Sequence, residues 1–287
     1  MKTAFQALWC LGLVLALAIP AMAVEPTGLP EPYAAGPVAR GFVEVNGVKL
    51  YHEIHGRGEP VLLLHGGLGS SQEFAPVIPA LAAHYRVILF DRRGHGHSYD
   101  NQEPFVYAAL AAEAKGLMDA IGVASAAVVG FSDGGVVGYH LASAYPGRVT
   151  RLLASGANYR VSGMTPATIE WVKTRMTTAG IAEDVPDLVA SYARRGAAGG
   201  DLASFLKRSQ DLWLRDPYIE ADELRRISIP VLLLAGDTND LTPEHMLEIR
   251  RLIAGSQLGI VPRCNHFIVS SKPALFTLLA LDFLAGR

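Results

Sequence analysis

The sequence predicts an α/β layered fold built around a mostly parallel sheet. Two observations predict it. Short apolar runs rich in Val, Leu and Ile recur along the chain, and stretches of helical periodicity separate them. A third observation refines it: one long interval late in the chain contains no legible strand and reads as inserted helices.

The elements follow in order. Phe42 to Val45, Asn46-Gly47 and Val48 to Ile54 read as a β-hairpin, because Asn-Gly accepts the positive φ angles of a tight turn. Pro60 to Leu64, Arg86 to Phe90 and Ala126 to Phe131 are continuous apolar runs, as expected of strands buried on both faces. Arg151 to Ala154, Ile229 to Ala235 and Leu258 to Val261 complete the set. Helices are expected over Glu73 to Ala83, Val106 to Ile121, Gly135 to Tyr145, Pro243 to Ile253 and Pro273 to Leu284. The interval from about 159 to 226 is expected to hold helices at Thr165 to Thr177, Asp187 to Arg195, Leu202 to Trp213 and Ala221 to Ile227. Gly196 to Gly200 and Asp216-Pro217 break it. Ligands of open α/β sheets sit beyond the carboxyl ends of the strands. The inserted helices are therefore expected to cover that crevice as a lid.

Composition narrows the function. The chain has 287 residues, half of them apolar, and a net charge of −2. It carries no basic footprint for nucleic acid and no strong field toward a charged membrane. Lys2, the apolar stretch from Ala7 to Ile19 and the small-residue pattern Ala21-Met22-Ala23 read as an export signal over residues 1–23. The stretch is short for a membrane span. Cleavage after Ala23 would place the protein in a periplasm or outside the cell, with no stable membrane association. It would leave Cys264 as the single cysteine and so no internal disulfide. Residues 24–40, rich in proline with Ala and Gly, read as a leader onto one domain over 41–287.

The chemistry centres on VVGFSDGG, residues 128–135. The G-x-S-x-G pattern from Gly130 to Gly134 follows one expected strand and precedes one expected helix, the context of a nucleophile elbow. Glycines on either side let strand and helix approach a strained serine. Ser132 would then need a base and an acid to orient the base, each in a loop after a later strand. GDTNDLTP at 236–243 and the segment from Pro262 to Phe267, with His266, stand in those places and in that order.

On these motifs the chain resembles the α/β-hydrolase superfamily, over roughly residues 41–284. LLLHGGLGS at 62–70 is similar to the oxyanion-loop segment of that family, and DRRGHGHS at 91–98 to its D-x-R-G-x-G-x-S turn. GFSDGG is similar to its elbow, GDTNDLTP to its acid loop and NHF to its histidine loop. GFSDGG with SGAN at 155–158 looks most like the small-esterase branch that includes valacyclovir hydrolase. The resemblance implies an α/β-hydrolase fold with a helical cap, and a serine esterase cleaving small carboxylic esters without metal or organic cofactor. Ser132 would attack the carbonyl, His266 would carry the proton and Asp240 would orient the imidazole. The oxyanion donors would be the backbone N–H groups of Asp133 and Gly67, with Leu68 as the alternative to Gly67.

Several residues carry two readings. Asp237 competes with Asp240 for the acid. The family's pattern is G-x-x-D-x-x-x-P, and Gly236 to Asp240 is one residue longer than G-x-x-D. Asp240-Leu241-Thr242-Pro243 aligns on a shorter D-x-x-P ending, and Asp237 suits a turn. The Asp133 side chain could attract a substrate ammonium group, or could make an inward structural hydrogen bond. Trp171, Trp213, Tyr159, Tyr192 and Met176 could line a pocket for substrate, although such spacing also serves plain core. His95 and His97, two apart, could bind a metal, but the glycines and Ser98 point to a tight loop, and no metal site is expected. His65 is expected to brace the oxyanion loop. Cys264 reads as a small buried hydrophobe.

The same residues leave other functions open. A lactonase or an amino-ester or amide hydrolase would use this triad. Haloalkane dehalogenases and epoxide hydrolases would carry Asp where Ser132 stands. A non-catalytic binding protein on the same fold is the rival of another class.

Overall fold

The computed structural model describes residues 36–194 and 201–286. The expected export signal, most of the leader and Gly196 to Gly200 lie outside these residues. Eight strands form one sheet: β1 (Ala39–Val45), β2 (Val48–His55), β3 (Pro60–Leu64), β4 (Arg86–Phe90), β5 (Ala126–Phe131), β6 (Val149–Ser155), β7 (Val231–Gly236) and β8 (Gln257–Val261). Their order is β1-β2-β4-β3-β5-β6-β7-β8. The β1–β2 and β2–β4 pairs are antiparallel; the other five pairs are parallel. Every residue of β5 and β7 is buried, as their unbroken apolar runs require.

Alternation along the strands divides the core between the two faces of the sheet. Leu62, Leu64, Ile88 and Val128 pack on one side with helices α2 (Tyr107–Ala120), α3 (Asp133–Ala144) and α9 (Pro243–Leu252). Val61, Leu63, Leu89 and Val129 pack on the other with α1 (Ile78–Ala82) and α11 (Pro273–Leu284). Helix α11 buries Phe276, Ala280 and Phe283, one turn apart on one stripe.

The inserted interval holds α4 (Pro166–Arg175), α5 (Thr178–Asp184), α6 (Pro186–Arg194), α7 (Leu202–Trp213) and α8 (Ala221–Arg225), all between β6 and β7. Helix α5 is absent from the sequence reading. Thr177 caps it by accepting from the Gly180 N–H, and Val185, which precedes Pro186, leaves the helical region and ends it. The single helix expected over Glu73 to Ala83 is instead a 3₁₀ turn at Ser71–Phe74 and then α1. Pro76 and Pro79 supply no N–H to a continuous helix. A short α10 (Ile268–Ser271) was also not foreseen. Among the described residues no helix is long and apolar enough to cross a membrane.

An ion pair ties the inserted helices to the sheet domain. Arg208 of α7 meets Asp100 at 2.5 Å, donates to the Glu103 carbonyl at 3.1 Å and lies 4.5 Å over the Phe105 ring. The His140 Nε2–H, on α3, donates to the Tyr218 carbonyl at 2.9 Å.

Candidate active site

Ser132, His266 and the 237–242 loop converge because each follows a parallel strand at its carboxyl end. The strand β5 runs into Ser132, whose φ of 52° and ψ of −120° are strained for any residue with a side chain. Sterics explain the glycines around it. A Cβ on Gly134 would lie 1.9 Å from the Leu64 carbonyl oxygen, and one on Gly130 would lie 2.4 Å from the Gly134 oxygen. Strand, elbow and helix touch backbone to backbone there. The Ser132 N–H donates to the Ser155 carbonyl at 2.7 Å and fixes the elbow against β6.

Ser132 Oγ lies 3.0 Å from His266 Nε2. The imidazole is buried among Phe131 and Phe267, with ring centroids at 5.0 and 5.4 Å. Burial lowers its pKa below the usual histidine value, and the negative charges of Asp240 and Asp133 act against that. A neutral imidazole can accept the serine proton.

The other ring nitrogen meets a residue that sequence reasoning passed over. Nδ1 is 3.0 Å from Asn239 Oδ1 and 3.8 Å from Asp240 Oδ2. Asp240 therefore stands at ion-pair distance and does not make the hydrogen bond expected of it. Asn239 is the fourth residue counted from Gly236 and the fourth before Pro243, so it occupies the acid position of G-x-x-D-x-x-x-P by both counts. That count was the available signal. Asp237 accepts from the backbone N–H groups of Arg263 and Cys264 at 2.9 and 3.0 Å and joins the two loops. It is the turn residue.

The loop after β3 is held at one residue, Gly66. The Gly66 N–H donates to Glu73 Oε2 at 2.7 Å, while the Gly66 carbonyl accepts from His65 Nδ1–H at 2.7 Å and Arg92 Nη2 at 2.8 Å. The Arg92 backbone N–H donates to His65 Nε2 at 3.0 Å, so His65 carries its proton on Nδ1. Burial, with Arg92 nearby, pushes the His65 pKa down to about 3 and keeps the ring neutral. It braces the loop, as expected. The peptide of the Gly66 carbonyl carries the Gly67 N–H at its other end. Asp133 opens α3, where a first-turn N–H has no acceptor within the helix. Arg92 and Glu73 were not foreseen. Arg92 sits in the DRRG turn, whereas nothing in the sequence marks Glu73.

Asp91 shapes that turn by accepting from the Ser71 and His97 N–H groups, each at 2.8 Å. His95 Nδ1–H donates to the Arg93 carbonyl at 2.9 Å. Among the described residues no group of three His, Cys, Asp or Glu side chains could hold a metal ion.

Above the serine lies a cavity of about 1230 Å³. Ser132, His266, Gly67 and Asp133 line it together with Trp171 and Trp213 from the inserted helices. Tyr192 also lines it; Tyr159 and Met176 belong to the core instead. Tyr159 stacks on His245 at 4.9 Å. The Asp133 carboxylate accepts from Tyr107 Oη at 2.7 Å and Trp213 Nε1 at 2.9 Å, and lies 3.6 Å from Arg92. It thus makes the inward hydrogen bonds and faces the cavity as well. Trp171 Nε1 donates to Asp184 at 2.7 Å. Cys264 is buried, with its Sγ 3.5 Å from Ser271 Oγ.

Known proteins are similar to this chain in sequence and in fold. A family model described as the α/β hydrolase fold matches residues 59–197. A Caulobacter sp. (strain K31) protein named as carbamate hydrolase RutD is 31% identical over 262 residues, covering 83% of this chain and 96% of its own. Serine hydrolase BPHL of Homo sapiens, from the branch that GFSDGG suggested, is 28% identical over 263 residues, 86% of this chain and 87% of that one. In three dimensions, carboxylesterase CesB (YbfK) from Bacillus subtilis superposes with a TM-score of 0.73 at 21% identity, over 87% of this chain and 92% of that one, a likeness of fold. By sequence and by architecture, the chain belongs to the α/β hydrolase fold family.

Proposed function

We propose that this chain is an exported serine hydrolase that cleaves small carboxylic esters through an acyl-enzyme. The observation that carries the reading is the 3.0 Å contact between His266 Nε2 and Ser132 Oγ on a strained elbow. His266 takes the proton as Oγ attacks the ester carbonyl. The carbonyl oxygen becomes an oxyanion held by the Gly67 and Asp133 N–H groups. His266 then protonates the departing alcohol, and water repeats the sequence on the acyl group. The cavity is large enough for a small ester and is walled by Trp171 and Trp213. Residues 1–23 direct export, and cleavage after Ala23 leaves the mature protein in a periplasm or outside the cell. N-terminal sequencing of the exported fraction tests this.

A second reading has its own support. Asp133, Asp184, Asp187 and Asp240 line the cavity, and no Lys or Arg among the described residues does. This favours substrates bearing an ammonium group, such as amino-acid esters. A lactone would react by the same steps.

The test is a panel of p-nitrophenyl acetate, butyrate and octanoate, an amino-acid ester and an acyl lactone, with a fluorophosphonate probe. Ser132→Ala is expected to lower kcat by about 10⁴- to 10⁶-fold and to abolish labelling. Asp133→Ala hurting amino esters far more than neutral ones selects the second reading. A folded wild-type protein that neither labels nor turns over any substrate would make this a binding protein.

A further inference from the structure

The residue in hydrogen-bond contact with the catalytic imidazole is an amide. We infer that Asn239 is the positioning residue that holds His266 through its Nδ1–H, and that Asp240 supplies negative charge from a longer distance. The inference rests on the serine-hydrolase reading above.

An amide could fail at this task. Turned one way it offers Oδ1 to Nδ1–H; turned the other way it offers an N–H and forces the proton onto Nε2, where the ring can no longer accept from serine. The surroundings choose. The Leu241 backbone N–H donates to the same Asn239 Oδ1 at 3.1 Å. Turning the amide over would set Nδ2 against that N–H, donor against donor. The backbone of the acid loop thus fixes Oδ1 toward His266, keeps the ring proton on Nδ1 and leaves the Nε2 lone pair for Ser132. Asn239 Nδ2 is buried and has no partner among the described residues, so the amide is held for its oxygen rather than for its N–H.

Asp240 is suited to the other task. Its carboxylate is half exposed and 3.8 Å from Nδ1, within range to favour a positive imidazole but outside hydrogen-bond distance. Among the described residues, Asp240 and Asp133 are the charged groups that act on the ring. Phe131 and Phe267 supply its aromatic contacts.

The experiment compares Asn239→Ala, Asn239→Asp, Asp240→Asn and, as a loop control, Asp237→Asn. It reads kcat and KM across pH, fluorophosphonate labelling of Ser132, and ¹⁵N NMR of the His266 ring, assigned against His266→Gln. The wild type is expected to show Nδ1-protonated His266. Asn239→Ala is expected to mix the tautomers and to lower kcat by about 10²- to 10⁴-fold at little change in KM. Asn239→Asp puts a carboxylate in contact and moves the acid limb of kcat/KM up by about one pH unit or more. Asp240→Asn moves that limb down and costs kcat less than Asn239→Ala does. Asp237→Asn leaves tautomer and limb in place. The opposite ranking, with Asp240→Asn the more damaging and Asn239→Ala leaving tautomer, kcat and limb unchanged, would overturn the inference while labelling keeps the serine mechanism. An unlabelled wild type would overturn both, with the NMR reporting the tautomer independently of activity.

Discussion

The turn after β5 and the turn after β7 both serve His266, yet they are determined in different ways. At the elbow, backbone meets backbone. Gly134 approaches the Leu64 carbonyl so closely that only glycine fits, and the serine between the glycines has one place to be. In the acid loop, side chains decide. Asp237, Asn239 and Asp240 lie within four residues of one another, and each makes a different contact: Asp237 to the Arg263 and Cys264 N–H groups, Asn239 to the ring and Asp240 at ion-pair range. A motif held by backbone sterics reads cleanly from sequence; a motif held by which carboxyl or amide reaches a ring does not.

Three changes break or sharpen that contrast. The largest effect is expected from Gly134→Ala, which drives a methyl into the Leu64 carbonyl. Overpacking of this kind costs about 1–3 kcal/mol, a fall in Tm of roughly 2–12 °C, and hydrolase activity should fall with it. Calorimetry and the ester panel read both. An alanine variant as stable and active as the wild type would show that the elbow has slack.

Arg92→Met comes next. It removes the charge-assisted donor on the Gly66 carbonyl and loosens the peptide that carries the Gly67 N–H. The expected result is a kcat about 10- to 100-fold lower at similar KM, below the loss typical of deleting an oxyanion donor outright. Arg92→Lys, which keeps charge without the planar fork, should recover part of the rate. If KM rises and kcat holds, Arg92 serves binding and not the oxyanion.

The smallest effect is a pH signature of Glu73. Burial raises its pKa to about 7, against the ordinary 4.5. Between these values the folded chain holds a proton that the unfolded chain has released, so wild-type stability falls as pH rises from 4.5 to 7. Glu73→Gln keeps an oxygen for the Gly66 N–H and lacks this loss. Its Tm relative to the wild type should therefore climb across pH 4.5 to 7 and level off above. A constant difference would show that Glu73 is ionised throughout.

Much of the fold was legible. β3, β4 and β5, together with α7 and α11, have the ends that the apolar runs and the helical periodicity suggested. The stretch from Ser71 to Ala82 was misread because apolar periodicity persists through Pro76 and Pro79, which break the hydrogen-bond ladder without changing the pattern. The α5 helix went unread because a seven-residue helix offers too few turns to reveal a stripe.

By itself, the sequence determined where β3, β4 and β5 run, that Ser132 stands on a glycine-flanked turn, and that a histidine follows the last strand. These are local facts of chain stiffness, burial and backbone clearance. Only the tertiary structure decided which side chain meets His266 Nδ1, how Arg92 and Glu73 hold the carbonyl and the N–H of Gly66 across 26 and seven residues, and that Trp213 closes on Asp133 from 80 residues away. Those contacts depend on distances between strand ends that only the assembled sheet sets.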